Sequence, residues 1–214
     1  MANIKTLIKK AVKSLLPKNG AAYTREKNVV QNESRNQNIY YSQEGEDIIL
    51  ERIFSEKENG FYIDIGAHHP TRFSNTYKLY LRGWRGINID ATPGSMIPFE
   101  DIRPEDINLE MGISATEKEI EYYIMDEPAL NTFFRERVDH LIADTPYNLI
   151  NSVVVKTKTL GNVLKQFLPA GKHIDFLTID VEGLDFEILE SNDWTKYRPY
   201  IVLTEEWSGS LEDI

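Results

Sequence analysis

Short apolar runs that stop at an acid or a glycine recur along this chain. Between them lie stretches whose apolar residues fall three or four positions apart. The first run is FYIDIGAHHP at 61–70, where four apolar or aromatic residues surround Asp64 and the pattern ends at Gly66. A short apolar run bounded by a glycine reads as a buried parallel strand. Similar runs stand at 87–90, 107–111, 174–183 and 200–204, with Gly83-Trp84-Arg85-Gly86 as the turn before the second. Two more extended pieces are expected at 120–125 and 153–158, and Gly112-Ile113-Ser114 reads as an exit loop. Helical spacing appears in the pairs Ile49/Ile53 and Leu50/Phe54, in 159–168 between Thr159 and Pro169-Ala170-Gly171, and through Leu184, Ile188 and Leu189. Ser42 is placed to cap the first of these helices, and Ser74-Asn75-Thr76 to cap the one after the first strand. The stretch 126–150 carries helical spacing between Pro128 and Pro146, and suits either a lid or simple packing.

Upstream, Ile4, Leu7, Ile8, Ala11, Val12, Leu15 and Leu16 form one helical stripe with Lys5, Lys9, Lys10 and Lys13 beside it. This basic amphipathic helix, expected over 1–18, packs on its own domain or a sister chain, or else docks on a membrane surface or a partner. Residues 28–38 are polar and aperiodic, so 1–38 reads as helix plus linker and 39–214 as the folded domain.

Composition narrows the function. At 214 residues, 41% hydrophobic and 27% charged, the chain can bury a sizeable core. A net charge of −10 argues against a nucleic-acid groove. No apolar run approaches the roughly 18–20 residues of a membrane span. The absence of cysteine fits a reducing cytoplasm, which is the expected location.

The candidate chemistry lies where the runs end. A lone buried carboxylate is costly, so Asp64 makes sense at the carboxyl edge of a sheet, where open α/β folds bind ligands. Gly66 there admits close backbone approach. Asp90 follows Asp64 by about 26 residues, the place of a ribose-binding acid in dinucleotide-type folds. Asp180 and the pair Glu205/Glu206 end later strands, so the acids gather on one ligand edge. The loop Gly66-Ala67-His68-His69-Pro70 lacks two of the three glycines that admit a pyrophosphate, which favours a nucleotide without a diphosphate. Gln43 is left unexplained by helix capping.

YSQEGEDIIL, GFYIDIGAHHP, FSNTYKLYLRGWRGINID, RPEDINLEMGIS and DFLTIDVEGLDFEIL, in this order over most of 41–206, resemble the FkbM family of S-adenosylmethionine-dependent methyltransferases. The resemblance implies an α/β, class I methyltransferase, Rossmann-like fold: a mostly parallel, seven-stranded sheet with helices on both faces. It implies O-methylation of a small molecule or glycan, often at a sugar hydroxyl. By position, Asp64, Gly66 and Ala67 would form the first cofactor loop, Asp90 would hold the ribose, and Ala91 and Thr92 would border the adenine. Ser74, Asn75 and Gln43 would support the methionine end. His68-His69-Pro70 replaces the glycine-bearing loop of many relatives, and the domain is expected to lack the family's closing C-terminal strand hairpin.

Methyl transfer to a hydroxyl needs positioning and a general base. His69 or His68 is one candidate for that base; Asp180, Glu182 and Glu206 are the carboxylate candidates. The spacing selects no metal. The competing readings are a catalytically inactive nucleotide- or glycan-binding module and a nicotinamide-dependent oxidoreductase. Homo-oligomerisation is a further expectation.

Overall fold

A computed structural model of the chain describes residues 39–205. The helix expected over 1–18, the linker after it and Glu206 lie outside the described residues.

The elements in order are α1 (Glu46–Ile53), β1 (Phe61–Ile65), α2 (Tyr77–Leu81), β2 (Arg85–Asp90), α3 (Met96–Ile102), β3 (Ile107–Glu110), β4 (Gly112–Ile113) and β5 (Glu119–Met125). A 3-10 turn at Pro128–Leu130 precedes α4 (Arg135–Asp144) and β6 (Leu149–Lys158). Then come α5 (Leu160–Phe167), β7 (Phe176–Ile179), α6 (Asp185–Glu190) and β8 (Ile201–Thr204). Five strands form a parallel sheet in the order β3-β2-β1-β7-β8. The central runs have become strands covered on both sides, with all residues of β1 and β7 buried, while the edge strands β3 and β8 are only partly buried.

Alternation along the strands decides what each face meets. Phe61, Ile63, Ile65, Ile87, Ile89, Leu177 and Ile179 pack with Leu160, Val163 and Leu164 of α5 and Ile188 of α6. Tyr62 and Phe176 point the other way, against Leu50 of α1, Phe54 just after it, Leu79 of α2 and the fully buried Trp84. On that second face the register aligns Thr178, Asp64, Asn88 and Asn108 as a polar row across four strands.

That row is satisfied by α3 and the turn after it. Arg103 is wholly buried, and its Nε lies 3.2 Å from Asp106 Oδ2. The guanidinium donates to Thr76 Oγ1 (2.7 Å), Tyr62 Oη (3.0 Å) and the Pro70 carbonyl (3.3 Å). Asp64 accepts from Thr76 Oγ1 at 2.5 Å, and Asn88 donates to Asp106 at 3.0 Å. A buried carboxylate is tolerable here because a buried cation and hydroxyls surround it.

Three local expectations change. The helix begins at Glu46 with Gly45 at its N-cap in a left-handed conformation (φ 92°), which glycine adopts without steric penalty. Ser42 instead exchanges hydrogen bonds with Asp47, accepting from its N–H (3.3 Å) and donating to Oδ1 (2.9 Å). Leu50 and Phe54 are buried as the spacing requires, whereas Ile49 and Ile53 face outward. Gly112-Ile113, read as an exit loop, is the strand β4, and it joins β6 and β5 in a second sheet of order β4-β6-β5. Among the described residues the parallel sheet has five strands, ending at β8. Thr159 does cap α5, accepting from Asn162 N–H. Ser74 Oγ likewise accepts from Tyr77 N–H in the first turn of α2.

Among the described residues no helix is long and apolar enough to cross a membrane.

Candidate active site

The carboxyl ends of β1, β2 and β7 open into a cavity of about 330 Å³. Gly66 leaves β1 at φ 80°, and a Cβ there would meet the Asp180 carbonyl oxygen at 1.7 Å. The loop therefore passes directly against β7, a close approach that only glycine permits. The N–H groups of Gly66 and Ala67 both donate to the Ile89 carbonyl (2.9 and 3.0 Å), which ties the loop to β2 as well.

Apolar walls come from Ile65, Ile89, Met111, Ile113, Leu130 and Phe133, with the Tyr122 ring 4.6 Å from that of Phe133. The second sheet and its following turn supply much of this wall, so they cover the ligand edge. The stretch 126–150 is thus a cover over the cavity. Its Asn131 Nδ2 donates to Thr92 Oγ1 of the β2 loop at 3.1 Å, and Tyr122 Oη of the neighbouring β5 lies 3.1 Å from the same oxygen. The cover is tied to the β7 loop by an Arg137–Glu182 ion pair and by Thr132 Oγ1, which donates to the Glu182 carbonyl at 3.3 Å.

Asp90 lines the cavity with a fixed carboxylate: Oδ2 accepts from His68 N–H (2.9 Å) and Oδ1 from Thr92 N–H (2.8 Å). Each oxygen keeps a further lone pair for a ligand hydroxyl. Asp180, Glu182 and Glu205 line the opposite side with Gln43. Burial, reinforced by Glu205 and Glu182, pushes the Asp180 carboxyl up to about 8. Burial also lifts Glu182 to about 7 against the opposing pull of Arg137.

The candidates from sequence divide plainly. Gln43, Gly66, His68, Asp90, Ala91, Asp180 and Glu182 line the cavity. Asn75 lines an adjoining pocket with Gln43, Asp180 and Glu205, and donates to Thr178 Oγ1 at 3.1 Å. Asp64, Ser74 and Thr92 stand behind the wall, in the hydrogen bonds already described, and Ala67 packs with Met96 and Phe99. His69 stands outside the cavity: its Nδ1 accepts from Thr71 N–H (3.1 Å) and Arg72 N–H (3.0 Å), closing a turn. Burial lowers the pKa of both histidines. Tyr122, Asn131, Phe133 and Arg137 were missed from sequence. Asn131, Phe133 and Arg137 left only the helical spacing at 126–150 as a trace, and Tyr122 only the extended piece expected at 120–125.

Among the described residues, three non-glycine residues have positive φ: His68 (52°), Phe73 (54°) and Glu182 (58°). All three line the cavity. Such conformations persist only where surrounding structure imposes them, and they concentrate at functional sites. Among the described residues no group of three His, Asp or Glu side chains converges as a metal cage does.

The raised carboxyls also set a pH dependence of stability. Asp64 (about 6), Glu182 (about 7) and Asp180 (about 8) all lie above their ordinary values of 3.8, 4.5 and 3.8. Between about pH 4 and pH 8 the folded state binds more protons than the unfolded one, so stability falls as pH rises through that window. The melting temperature should drop between about pH 4 and pH 8 in scanning calorimetry and level off above that. A flat or rising curve would contradict the burial of these acids.

No curated protein and no solved structure matches the chain. The profile of the methyltransferase FkbM domain matches residues 64–211, more than half of the sequence and nearly all of the sheet whose carboxyl edge forms this cavity. The chain belongs to the FkbM methyltransferase family.

Proposed function

We propose that the protein is an S-adenosylmethionine-dependent O-methyltransferase acting on a sugar hydroxyl of a glycan or secondary metabolite. The observation that carries this reading is the pairing of two unlike acids across one cavity. Asp90 is held in place by two backbone N–H groups, and Asp180 is desolvated and drawn toward neutrality. Two carboxyls in such different surroundings, one held by backbone N–H groups and one desolvated, take different tasks.

S-adenosylmethionine fits the donors present. Asp90 offers two oriented acceptors for the ribose hydroxyls, and Ile65, Ile89, Ile113 and Phe133 offer apolar surface for a base. Gln43 and Asn75 offer amides for an amino-acid end. When bound, the cofactor supplies an electrophilic methyl on a sulfonium. The protein's residues do the remainder: Asp180 takes the proton of the acceptor hydroxyl, and the cover of Tyr122, Asn131 and Phe133 excludes water. A base with a pKa near the working pH is suited to that proton transfer. Glu182 and Glu205 beside Asp180 are hydrogen-bonding groups of the kind a sugar needs.

Calorimetry with S-adenosylhomocysteine, with NAD as the contrast, tests the cofactor. The homocysteine compound should bind and NAD should not. Asp90→Ala should weaken that binding by about 1–3 kcal/mol, the worth of a hydrogen bond to a charged group. A folded Asp90→Ala protein with undiminished affinity would remove the ribose assignment. Mass spectrometry after incubation with glycans should show addition of a methyl group.

A further inference from the structure

The cover meets the parallel sheet along three loops, and its three ties differ in their exposure to water. At the β2 loop the tie is Asn131 and Tyr122 to Thr92, with Asn131 and Tyr122 only 5% and 6% exposed. At the β7 loop the Arg137 and Glu182 side chains are 18% and 14% exposed. At the β1 loop the tie is a two-pronged ion pair. Arg72 Nη1 donates to Glu127 Oε1 at 2.9 Å and Nη2 to Oε2 at 3.0 Å, with side chains 44% and 26% exposed.

The residues on either side of this pair line the cavity: His68 and Phe73 on the loop, Pro128 to Asn131 on the cover. The Arg72 guanidinium lies 4.2 Å from the Phe73 ring centroid. It also sits 3.3 Å from His68 Nε2. Guanidinium can only donate, so that imidazole nitrogen accepts and the ring proton sits on Nδ1. Glu127 Oε1 receives the Ala129 N–H as well (3.2 Å), which anchors the 3-10 turn. One exposed pair thus fixes both lips at this edge. Water and salt weaken exposed ion pairs far more than buried ones, so this is the edge that opens first.

We propose that Arg72 and Glu127 are positioning residues: their ion pair holds this edge of the cover closed over the cavity and sets how fast cofactor exchanges. The proposal rests on the S-adenosylmethionine reading above. Neither side chain touches the reacting atoms. The pair acts through His68, Phe73 and the 3-10 turn.

The test is the dissociation rate of S-adenosylhomocysteine from the full-length chain, followed by surface plasmon resonance at low and high salt. Wild type should release it faster as salt rises. Glu127→Gln keeps an oxygen for the Ala129 N–H but removes the charge. It should raise the low-salt off-rate about five-fold and flatten the salt dependence, with the melting temperature unchanged. Arg72→Glu should do at least as much, and Arg72→Glu combined with Glu127→Arg should bring the rate back toward wild type. A merely structural loss would show neither the salt dependence nor the rescue. If the single variants bind and release S-adenosylhomocysteine as wild type does, the closing role is wrong and the cofactor reading stands. If wild type does not bind it at all, both fall.

Discussion

Asp180→Asn should lower turnover about 100-fold or more while S-adenosylhomocysteine binds within a few-fold of wild type, as expected when a general base is lost and the cavity is kept. Asparagine preserves the shape of the side chain but cannot take a proton. The wild-type rate should climb with pH through about 8, because the acting form is the carboxylate and burial holds its pKa there. A histidine base would act at lower pH, since burial lowers the pKa of both His68 and His69. His69→Ala is the control and should keep most of the activity, because that ring closes the turn at 69–72 outside the cavity. Wild-type turnover in Asp180→Asn, with loss in His69→Ala, would transfer the role to the histidine. The same asparagine variant should also lose part of the fall in melting temperature between about pH 4 and pH 8, since one acid no longer has to ionise in a desolvated place.

The contrast between these residues shows what a sequence can convey. Strand ends were legible because a buried strand needs an unbroken apolar run and its exit needs a polar or glycine residue. That logic found Asp90 and Asp180 without any knowledge of their neighbours. It also found Asp64, two residues before Gly66, but could not settle which face the side chain takes. The register puts Asp64 in the row with Asn88 and Thr178, and the Arg103 charge that steadies it comes from 39 residues away. Nothing local announces a pairing at that distance. His69 was hidden differently: its ring lies outside the cavity because it accepts from backbone N–H groups two and three residues on, a turn that leaves no periodic trace. The cover was hidden for a third reason. It depends on β4 pairing with β6, some 45 residues later, which turns an apparent loop at Gly112 into a strand.

Arg103→Met should destabilise the fold by about 3–5 kcal/mol in urea or thermal denaturation, the usual penalty for removing one side of a buried charge pair. The side chain is fully buried and contacts Asp106, Tyr62, Thr76, Ser74 and the Pro70 carbonyl together. Methionine fills similar volume and satisfies none of them. Asp106 keeps Tyr62 Oη (2.5 Å), Gly86 N–H (2.8 Å) and Asn88 Nδ2 (3.0 Å), so its charge is left solvated by dipoles but without a counterion. Asp64 loses the field that now opposes the effect of burial, and its pKa should rise further above about 6. The deficit should therefore shrink as pH is lowered toward about 5, where Asp64 binds its proton and no longer needs the cation. Lysine restores the charge but not the fork that reaches Pro70 and Thr76 at once, so Arg103→Lys should recover only part of the loss. Asp106→Asn added to Arg103→Met should also recover part, by removing the orphaned charge. The functional consequence follows from geometry: the guanidinium pins both ends of the segment 70–76, and that segment carries Phe73 into the cavity and Asn75 into the adjoining pocket. Cofactor affinity should fall in Arg103→Lys even at temperatures where the protein is fully folded. A Met variant within about 1 kcal/mol of wild type would mean that the polar row is energetically neutral and that apolar packing alone holds this face of the sheet.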